Sequence, residues 1–168
     1  MKRALILFAV VANLVLADAV VKELAAGYLN GSAAVSVIPG LFNLAYVENR
    51  GCAWGMLQGQ VWPLAVFGIA ALAFLIWQRK SVFEGSETAD GSSGWDWLSA
   101  VAEPLLYAGI VGNVIDRLFR GYVIDMFDFH WGVRHFPCFN VADSLICISI
   151  GMLLLHSCRR RPPSRTAN

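Results

Sequence analysis

The chain has 168 residues, of which 57% are hydrophobic and only 15% are charged. A soluble domain carries about 25% charged residues, so this composition argues against a soluble enzyme and for a surface that faces lipid. The net charge of +1 gives no indication of nucleic-acid binding. Because the length suits one domain, we treat residues 1–168 as a single integral membrane domain.

Four apolar runs predict four membrane-spanning helices, at about residues 4–22, 61–78, 97–118 and 141–157. Each run has about the length that crosses roughly 30 Å of hydrocarbon as a helix. After the first run, residues 35–38 and 41–47 alternate in period two between turn residues, as short strands do. The expected fold is therefore an all-α membrane protein, a four-transmembrane-helix bundle with a small extracytoplasmic β-sheet after helix 1.

Lys and Arg are distributed unevenly over the segments outside these runs. Eight lie near the two termini or in residues 79–96, namely Lys2, Arg3, Arg79, Lys80, Arg159, Arg160, Arg161 and Arg165. The other five are Lys22, Arg50, Arg117, Arg120 and Arg134. Because cytoplasmic loops carry an excess of Lys and Arg, we expect both termini in the cytoplasm. Residues 79–96 then form a flexible cytoplasmic loop, and segments 26–59 and 119–140 face outward.

Polar side chains gather near the outward ends of the predicted helices. They are Asp18, Lys22, Asn113, Asp116, Arg117, Asn140 and Asp143, with Asp125 a few residues beyond the third run. An ionisable group at the bilayer centre costs ~2.5–3.5 kcal/mol on insertion scales, so such residues are candidates for function. Segments that are distant in the sequence thus converge on one layer, where we expect an active site at the membrane surface.

Structural explanations stay open for several of these residues. Asp18 and Lys22 are spaced i,i+4 and suit a helix-end ion pair. Asn140 followed by Asp143 is typical of a helix N-cap with an acid in the first turn. Asp125 is harder to explain in this way, because it lies inside an apolar run.

The residue types narrow the possible chemistry. The sequence has no HExxH pair, G-x-S-x-G motif or P-loop, so no metal site is expected. What remains is a carboxylate dyad, in which the ionised group takes a proton from water and the protonated group hydrogen-bonds the scissile carbonyl. The first-turn position favours Asp143 as the base and Asp125 as the acid, but this assignment stays open because coupled titrations belong to the pair.

Two other classes of protein stay open on the residues alone. A small transporter or channel subunit uses buried acids to carry protons or ions. Such a path should thread acids through the membrane depth, whereas only Glu103 lies towards the other face. The third class, a non-catalytic membrane scaffold, has no need of the Asp125 and Asp143 pair.

Four motifs follow one another along the chain. Residues 18–22 (DAVVK) resemble D-x-x-[ST]-K, residues 49–55 (NRGCAWG) resemble N-x-G-A-A-[FW]-G, residues 112–117 (GNVIDR) match G-N-x-x-D-R, and residues 123–125 with 136–144 match V-V-D and F-x-x-F-N-x-A-D-[ST]. The chain therefore resembles the bacterial lipoprotein signal peptidases, also called signal peptidase II or peptidase family A8, over nearly all of its length. Val21 and Cys52 depart from the pattern, in which Ser or Thr and Ala are usual.

The resemblance implies cleavage of a signal peptide just before the diacylglyceryl-modified cysteine of a prolipoprotein. It implies Asp125 and Asp143 as the catalytic dyad, with Asp116 as the runner-up for a catalytic position. The substrate-binding and supporting residues that it implies are Asp18, Lys22, Asn49, Gly51, Asn113, Asp116, Arg117, Asn140 and Ala142. Asp128 has no assigned role and is expected to be solvated.

The resemblance also sets expectations for partners and location. The expected partners are the prolipoprotein substrate and membrane lipids, without nucleic acid, cofactor or metal. We expect a monomer in the bacterial inner membrane with its active site at the outer face. Cys52 and Cys138 both lie in outward segments, where a disulfide is allowed, but free thiols are expected.

Overall fold

Long apolar helices and one small sheet make up the structure, a computed structural model that describes residues 2–83 and 97–159. The helices in these ranges are α1 (Lys2–Leu29), α2 (Val61–Trp77), α3 (Arg79–Phe83), α4 (Trp97–Phe119) and α5 (Val141–Arg159). The strands are β1 (Val35–Ile38), β2 (Phe42–Asn49), β3 (Val123–Trp131) and β4 (Arg134–His135), in one antiparallel sheet of order β1-β2-β3-β4. A 3-10 turn, Ala53–Gly55, follows β2.

Three helices within the described ranges, α1, α4 and α5, are long and apolar enough to cross a membrane. α2 is a shorter apolar helix of 17 residues. Large side chains project from these helices without covering, and Phe8 and Phe67 expose 70% and 71% of their surface. Such exposure suits contact with lipid tails rather than with water.

α4 is the helix around which the others pack. In its most apolar window of 18 residues 56% are buried, against 6% in α1 and 17% in α5. Small residues allow the close approach of α5, since a Cβ on Gly109 would lie only 2.5 Å from the carbonyl oxygen of Ala142. This contact brings the polar residues of α4 against the first turn of α5.

The sheet is assembled from two separate parts of the chain. β1 and β2 follow α1, whereas β3 and β4 lie between α4 and α5. The prediction of a sheet after the first helix was therefore incomplete. β3 escapes the period-two pattern because it is buried on both faces, including Val123, Ile124 and Met126. Its pairing with β2 sets Asn49 opposite Val123, and so places Asn49 beside the start of β3.

α1 extends further than the predicted boundary near residue 22. The helix runs to Leu29, and Ala25 in the added turns is 5% exposed. Ala25 packs against Ile124 and Met126 of β3. The extension forms because the sheet covers one side of it, and the apolar run alone does not reveal that covering.

Part of the predicted cytoplasmic loop is helical. Residues 79–83 form α3, because Phe83 is buried against Tyr107 of α4 with its ring edge-on at 5.7 Å between centroids. The remainder of that loop, residues 84–96, lies outside the described residues.

A buried carboxylate ties three helices together at the end of the bundle opposite the sheet. Glu103 of α4 is 2% exposed and accepts hydrogen bonds from Nε and Nη2 of Arg79, the latter at 2.9 Å. The guanidinium of Arg3 lies 3.6 Å from the same carboxylate. Glu103 thus faces the bundle interior, and α4 continues through the adjacent Pro104.

Candidate active site

Asp18 and Lys22 form a buried ion pair next to the candidate site. Lys22 Nζ lies 2.7 Å from Asp18 Oδ2 and 2.9 Å from Asp116 Oδ2. The Lys22 side chain is only 1% exposed, a position that an ammonium group tolerates when opposite charges surround it. The predicted i,i+4 pair is confirmed, and through Asp116 it also joins α1 to α4.

Asp18 anchors the first turn of α5. Its Oδ1 accepts the backbone N–H of Ala142 at 2.9 Å. This N–H belongs to the first turn of a helix, where the backbone has no intrahelical partner. Gly112 of α4 makes room for the contact, since a Cβ there would lie 2.7 Å from Asp18 Oδ2. A carboxylate from α1 therefore reaches past α4 to position α5.

Asn140 and Asp143 cap α5 reciprocally. The backbone N–H of Asp143 donates to Asn140 Oδ1 at 2.9 Å, and the backbone N–H of Asn140 donates to Asp143 Oδ2 at 3.3 Å. This arrangement is a capping box, and the predicted N-cap is confirmed. Because Asn140 Oδ1 accepts from the N–H of Asp143, the Nδ2 atom of the same amide faces Asn113 and Asp125.

The amide of Asn113 is oriented by Lys22. Lysine can only donate, so its contact with Asn113 Oδ1 at 3.2 Å identifies that atom as the oxygen. Asn140 Nδ2 donates to the same oxygen at 3.2 Å. Asn113 Nδ2 is then free to donate to Asp143 Oδ1 at 2.7 Å. The charge on Lys22 thus sets the direction of the hydrogen bonds that reach Asp143.

Asp125 receives one amide donor on each oxygen. Asn140 Nδ2 donates to Oδ1 at 2.7 Å, and Asn49 Nδ2 donates to Oδ2 at 2.9 Å. Asn49 is oriented by the backbone N–H of Gly51, which donates to its Oδ1 at 2.9 Å. β2, β3 and the residue before α5 therefore meet at this carboxylate.

Burial raises the pKa of Asp125, which is 1% exposed, and the nearby Asp143 raises it further. The hydrogen bonds from Asn49 and Asn140 oppose the shift, and the pKa is about 7. A carboxyl group with a pKa near neutrality populates both protonation states there. It can act as an acid or as a base without an extreme of pH.

Asp116 is occupied by contacts between elements. Its Oδ2 binds Lys22 and accepts the backbone N–H of Ile124 at 3.4 Å, while its Oδ1 accepts from Arg120 Nε at 3.0 Å. Arg120 also pairs with Glu23 of α1. These contacts brace α1, α4 and the start of β3, which suits the supporting role expected of Asp116 better than the catalytic one.

Arg117 holds the loop that follows β2. Its Nη2 donates to the carbonyl oxygen of Gly51 at 3.0 Å. Gly51 has no space for a side chain, because a Cβ would lie 2.4 Å from the carbonyl oxygen of Met56. The predicted residues Asn49, Gly51 and Arg117 therefore form one connection between α4 and this loop.

Two adjoining cavities flank the carboxylates. A cavity of about 500 Å³ is lined by Asp143 and by apolar residues that include Val123, Phe139, Ile146 and Ile148. A second cavity of about 380 Å³ is lined by Asp125 with Glu48, Gln58 and His135. The two share a wall formed by Asn49 and residues 52–54 and 136–138. The predicted dyad thus lies along a continuous surface, one carboxylate in each cavity.

The two departures from the motifs have local explanations. Val21 packs against the apolar cluster of Ala25, Ile124 and Met126, so a methyl group fits where a hydroxyl is usual. Cys52 Sγ contacts the carbonyl oxygen of Met56 at 3.4 Å. Both Cys52 and Cys138 are free thiols, as expected, and burial raises the pKa of Cys138 to about 12. Cys138 therefore stays protonated near neutral pH.

Asp128 is not solvated, contrary to the expectation. It is 9% exposed, its Oδ1 lies 2.6 Å from His135 Nδ1, and its Oδ2 accepts from Asn43 Nδ2 at 3.1 Å. Burial would raise the pKa of Asp128, but the hydrogen bonds from His135 and Asn43 outweigh it and hold the pKa below its ordinary value. The sequence signal that could have predicted a partner for Asp128 is the presence of two histidines, which follow it within the same outward segment.

The sequence matches the family model described as Signal peptidase (SPase) II over residues 10–159. The chain belongs to the signal peptidase II family. A relative named lipoprotein signal peptidase from Syntrophotalea carbinolica is 38% identical over 149 residues, which are 86% of each protein. The relative of the same name from Symbiobacterium thermophilum is 36% identical over 154 residues, 90% of this chain and 91% of the relative. The resemblance seen in the four motifs is confirmed.

Two solved structures share the fold, and both are described as bacterial membrane enzymes determined by the in meso method. One, at 2.3 Å resolution, has a TM-score of 0.75 and 26% identity, and covers 96% of this chain and 93% of its own. The other, at 1.9 Å, has a TM-score of 0.73 and 28% identity, with coverage of 92% and 94%. Together with the apolar helices, these similarities make the chain a multi-pass membrane protein, and its family makes it a peptidase.

Proposed function

We propose that this protein is a membrane aspartic endopeptidase that removes the signal peptide from diacylglyceryl-modified prolipoproteins, cleaving before the lipid-modified cysteine. The observation that carries the proposal is the position of the two carboxylates. Asp143 and Asp125 line adjoining cavities with a common wall, and the side chain of Asn140 contacts both residues. A peptide carbonyl held at the common wall is within the reach of acid–base chemistry from both sides.

The two cavities differ in a way that suits a lipidated substrate. The first is lined by Ile146 and Ile148 of α5, a helix with an exposed apolar surface. An acyl chain or an apolar signal segment arriving from the bilayer therefore meets apolar walls before it meets Asp143. The second cavity is more polar than the first, because Glu48 and Gln58 line it together with Asp125. The substrate likewise passes from an apolar signal segment to a more polar chain at its lipidated cysteine.

In the proposed reaction, Asp143 takes a proton from the attacking water while protonated Asp125 hydrogen-bonds the scissile carbonyl oxygen. The water oxygen adds to the carbonyl carbon while the proton of Asp125 passes to the carbonyl oxygen, and a neutral tetrahedral gem-diol intermediate forms. As the C–N bond breaks, the proton held by Asp143 passes to the leaving amine of the lipidated cysteine, and Asp125 recovers its own proton. The raised pKa of Asp125, about 7, supports its assignment as the acid, and the first-turn position of Asp143 supports its assignment as the base.

The supporting residues act through this pair. Lys22 and Asn113 direct a donor at Asp143, and Asn49 and Asn140 direct donors at Asp125. The other supporting residues hold the elements that carry these side chains, and they are Asp18, Gly51, Asp116, Arg117 and Ala142. Preorganised hydrogen bonds of this kind need no rearrangement during the reaction.

We further infer that α2 is a fourth membrane span, and that the sheet forms an outward-facing cradle for the substrate. The uneven distribution of Lys and Arg supports cytoplasmic termini in the bacterial inner membrane, with the site at the outer face. The enzyme acts as a monomer among membrane lipids. A Val133→Cys substitution on the exposed tip between β3 and β4, in a variant whose four native cysteines are replaced by serine, tests the orientation. Labelling by an impermeant reagent is expected in intact spheroplasts, and labelling only after lysis would contradict it.

The catalytic assignment is tested with Asp125→Asn and Asp143→Asn in purified enzyme and a diacylglyceryl prolipoprotein. Each substitution is expected to lower the cleavage rate by about 10³-fold or more, because each removes one acid–base group of a unit. Asp90→Asn, in the predicted cytoplasmic loop, is the matched control and should retain activity. Membrane levels of all variants should equal those of the wild type. A wild-type rate in either aspartate variant contradicts the dyad.

The absence of a metal requirement is tested separately. Residues 2–83 and 97–159 contain no group of three or more His, Cys, Asp or Glu side chains that could hold a metal ion. We expect cleavage to be insensitive to chelators. Activity that is lost on chelation and restored by zinc contradicts the proposed mechanism.

A further inference from the structure

A carboxylate outside the dyad, Asp128, holds the imidazole of His135 beside the proposed site. His135 of β4 lines the same cavity as Asp125, and its Nδ1 lies 2.6 Å from Asp128 Oδ1. Neither His135 nor Asp128 has a part in the proposed reaction. A buried carboxylate bound to a half-exposed histidine at the wall of a substrate cavity calls for an explanation.

The imidazole of His135 is held from two sides. Asn43 Nδ2 donates to Asp128 Oδ2 at 3.1 Å, which fixes the carboxylate that binds Nδ1. The ring of His135 also stacks on that of His130, with centroids 5.0 Å apart and planes 18° from parallel. Because Nδ1 is bound to Asp128, Nε2 is the ring nitrogen left to serve a ligand. The side chain is 53% exposed and so remains accessible to one.

The cavity indicates which part of a substrate would meet this histidine. The first cavity, with Asp143, includes residues of α5, whereas the second combines Asp125 and His135 with Glu48 and Gln58. Because the two cavities share a wall, a chain whose apolar part occupies the first cavity can continue into the second. That continuing part is the polar chain on the amine side of the cleaved bond.

We propose that His135, held by Asp128, is a substrate-binding residue that hydrogen-bonds the backbone of the polar chain following the lipidated cysteine. This inference rests on the proposed function. Because the carboxylate of Asp128 only accepts, the Nδ1–H of His135 donates to it, and Nε2 of the neutral ring is an acceptor for a backbone N–H, so it can bind main chain irrespective of the side chains. Asp128 is then a positioning residue, which acts through His135.

The test uses two substrates with the same signal peptide and the same diacylglyceryl cysteine. One continues into a long polar chain, and the other ends at the cysteine as an amide. His135→Ala is expected to raise KM for the long substrate about tenfold, because one hydrogen bond to the substrate is lost. Little change in kcat is expected. Its KM for the short substrate should equal that of the wild type. An equal effect on both substrates, or no effect on either, overturns the inference.

Two conservative variants separate substrate binding from a structural role. His135→Gln places an amide near the position of Nε2, and His135→Asn places one near the position of Nδ1. Rescue of the long-substrate KM by glutamine alone supports substrate binding. Rescue by asparagine alone means that the bond to Asp128 matters only for structure, and it overturns the inference.

Asp128→Asn should raise the long-substrate KM in the wild type but have no further effect in the His135→Ala background, because it acts through His135. An additive effect contradicts the positioning role. Arg134→Gln is the matched control, since Arg134 is exposed and adjacent but is not among the residues that line the cavity. If the wild type cleaves neither substrate, the proposed function fails. If it cleaves both and the His135 variants do not discriminate, only this inference fails.

Discussion

Asn140 Nδ2 lies 2.7 Å from Asp125 Oδ1 and donates a hydrogen bond to it. The Oδ1 atom of the same amide accepts a hydrogen bond from the backbone N–H of Asp143 at 2.9 Å. One side chain therefore caps a helix and presents a donor to a carboxylate on a distant strand.

The first prediction concerns pH. If Asp125 acts as the acid, its protonated form is required, and that form declines as the pH rises through about 7. We therefore expect kcat/KM to fall on the alkaline side of about pH 7. The measurement is a pH profile of kcat/KM for a purified lipidated substrate. A profile that rises through this region and stays high would assign Asp125 as the base instead.

Asn140→Asp should lower activity without removing the helix cap. Asp caps a helix about as well as Asn, so the bond to the Asp143 N–H is retained. The donor to Asp125 is lost and a negative charge is added beside it, which raises the pKa of Asp125. We expect kcat to fall about tenfold or more, because Asp125 loses the donor that positions it. We also expect the alkaline limb of the pH profile to move to higher pH, because a like charge nearby favours the protonated form of Asp125. Unchanged kcat and an unmoved limb would show that the donor is dispensable.

Gly112→Ala should damage the anchoring of α5. The added Cβ would lie 2.7 Å from Asp18 Oδ2 and 3.3 Å from the Cβ of Ala142, so Asp18 must move from the N–H that it binds. We expect a lower thermal midpoint and lower activity. Gly151→Ala, in α5, is the matched control, because nothing lies within 4 Å of its added Cβ. It should be neutral or slightly stabilising. Equal midpoints for the two variants would contradict the packing argument.

Lys22→Met should strongly destabilise the protein. It leaves Asp18 and Asp116 without their shared cation in a buried site, a change that typically costs about 3–5 kcal/mol of unfolding free energy. Thermal inactivation in detergent measures the loss. Arg50→Gln provides the contrast, because the Arg50–Glu48 pair is exposed and such pairs contribute about 0–1 kcal/mol. Similar losses in both variants would mean that burial does not govern the strength of these ion pairs.

Features that depend on neighbours along the chain were predictable. The apolar runs located α1, α2, α4 and α5, because the length and hydropathy of a run are local properties. The spacing of Asn140 and Asp143 predicted the helix cap, and the spacing of Asp18 and Lys22 predicted their pair. The motif order identified the family.

Features that depend on distant partners were missed. α3 forms because Phe83 packs on Tyr107, and β3 lost its alternation because both of its faces are covered. Asp128 was expected in solvent, since the sequence does not reveal the partners that bury it, Asn43 and His135. Burial is decided by what packs on a residue, and those partners lie elsewhere in the chain.

By itself, the sequence determined which residues are candidates and which helices carry them. Only the tertiary structure decided how they combine. Asn49 and Asp125 are 76 positions apart, and Lys22 and Asn113 are 91 apart, yet each pair is hydrogen-bonded. Such contacts arise because the small residues of α4 let α5 approach and because β2 pairs with β3. Periodicity and spacing describe one element at a time, whereas the environment that raises the pKa of Asp125 is built from several.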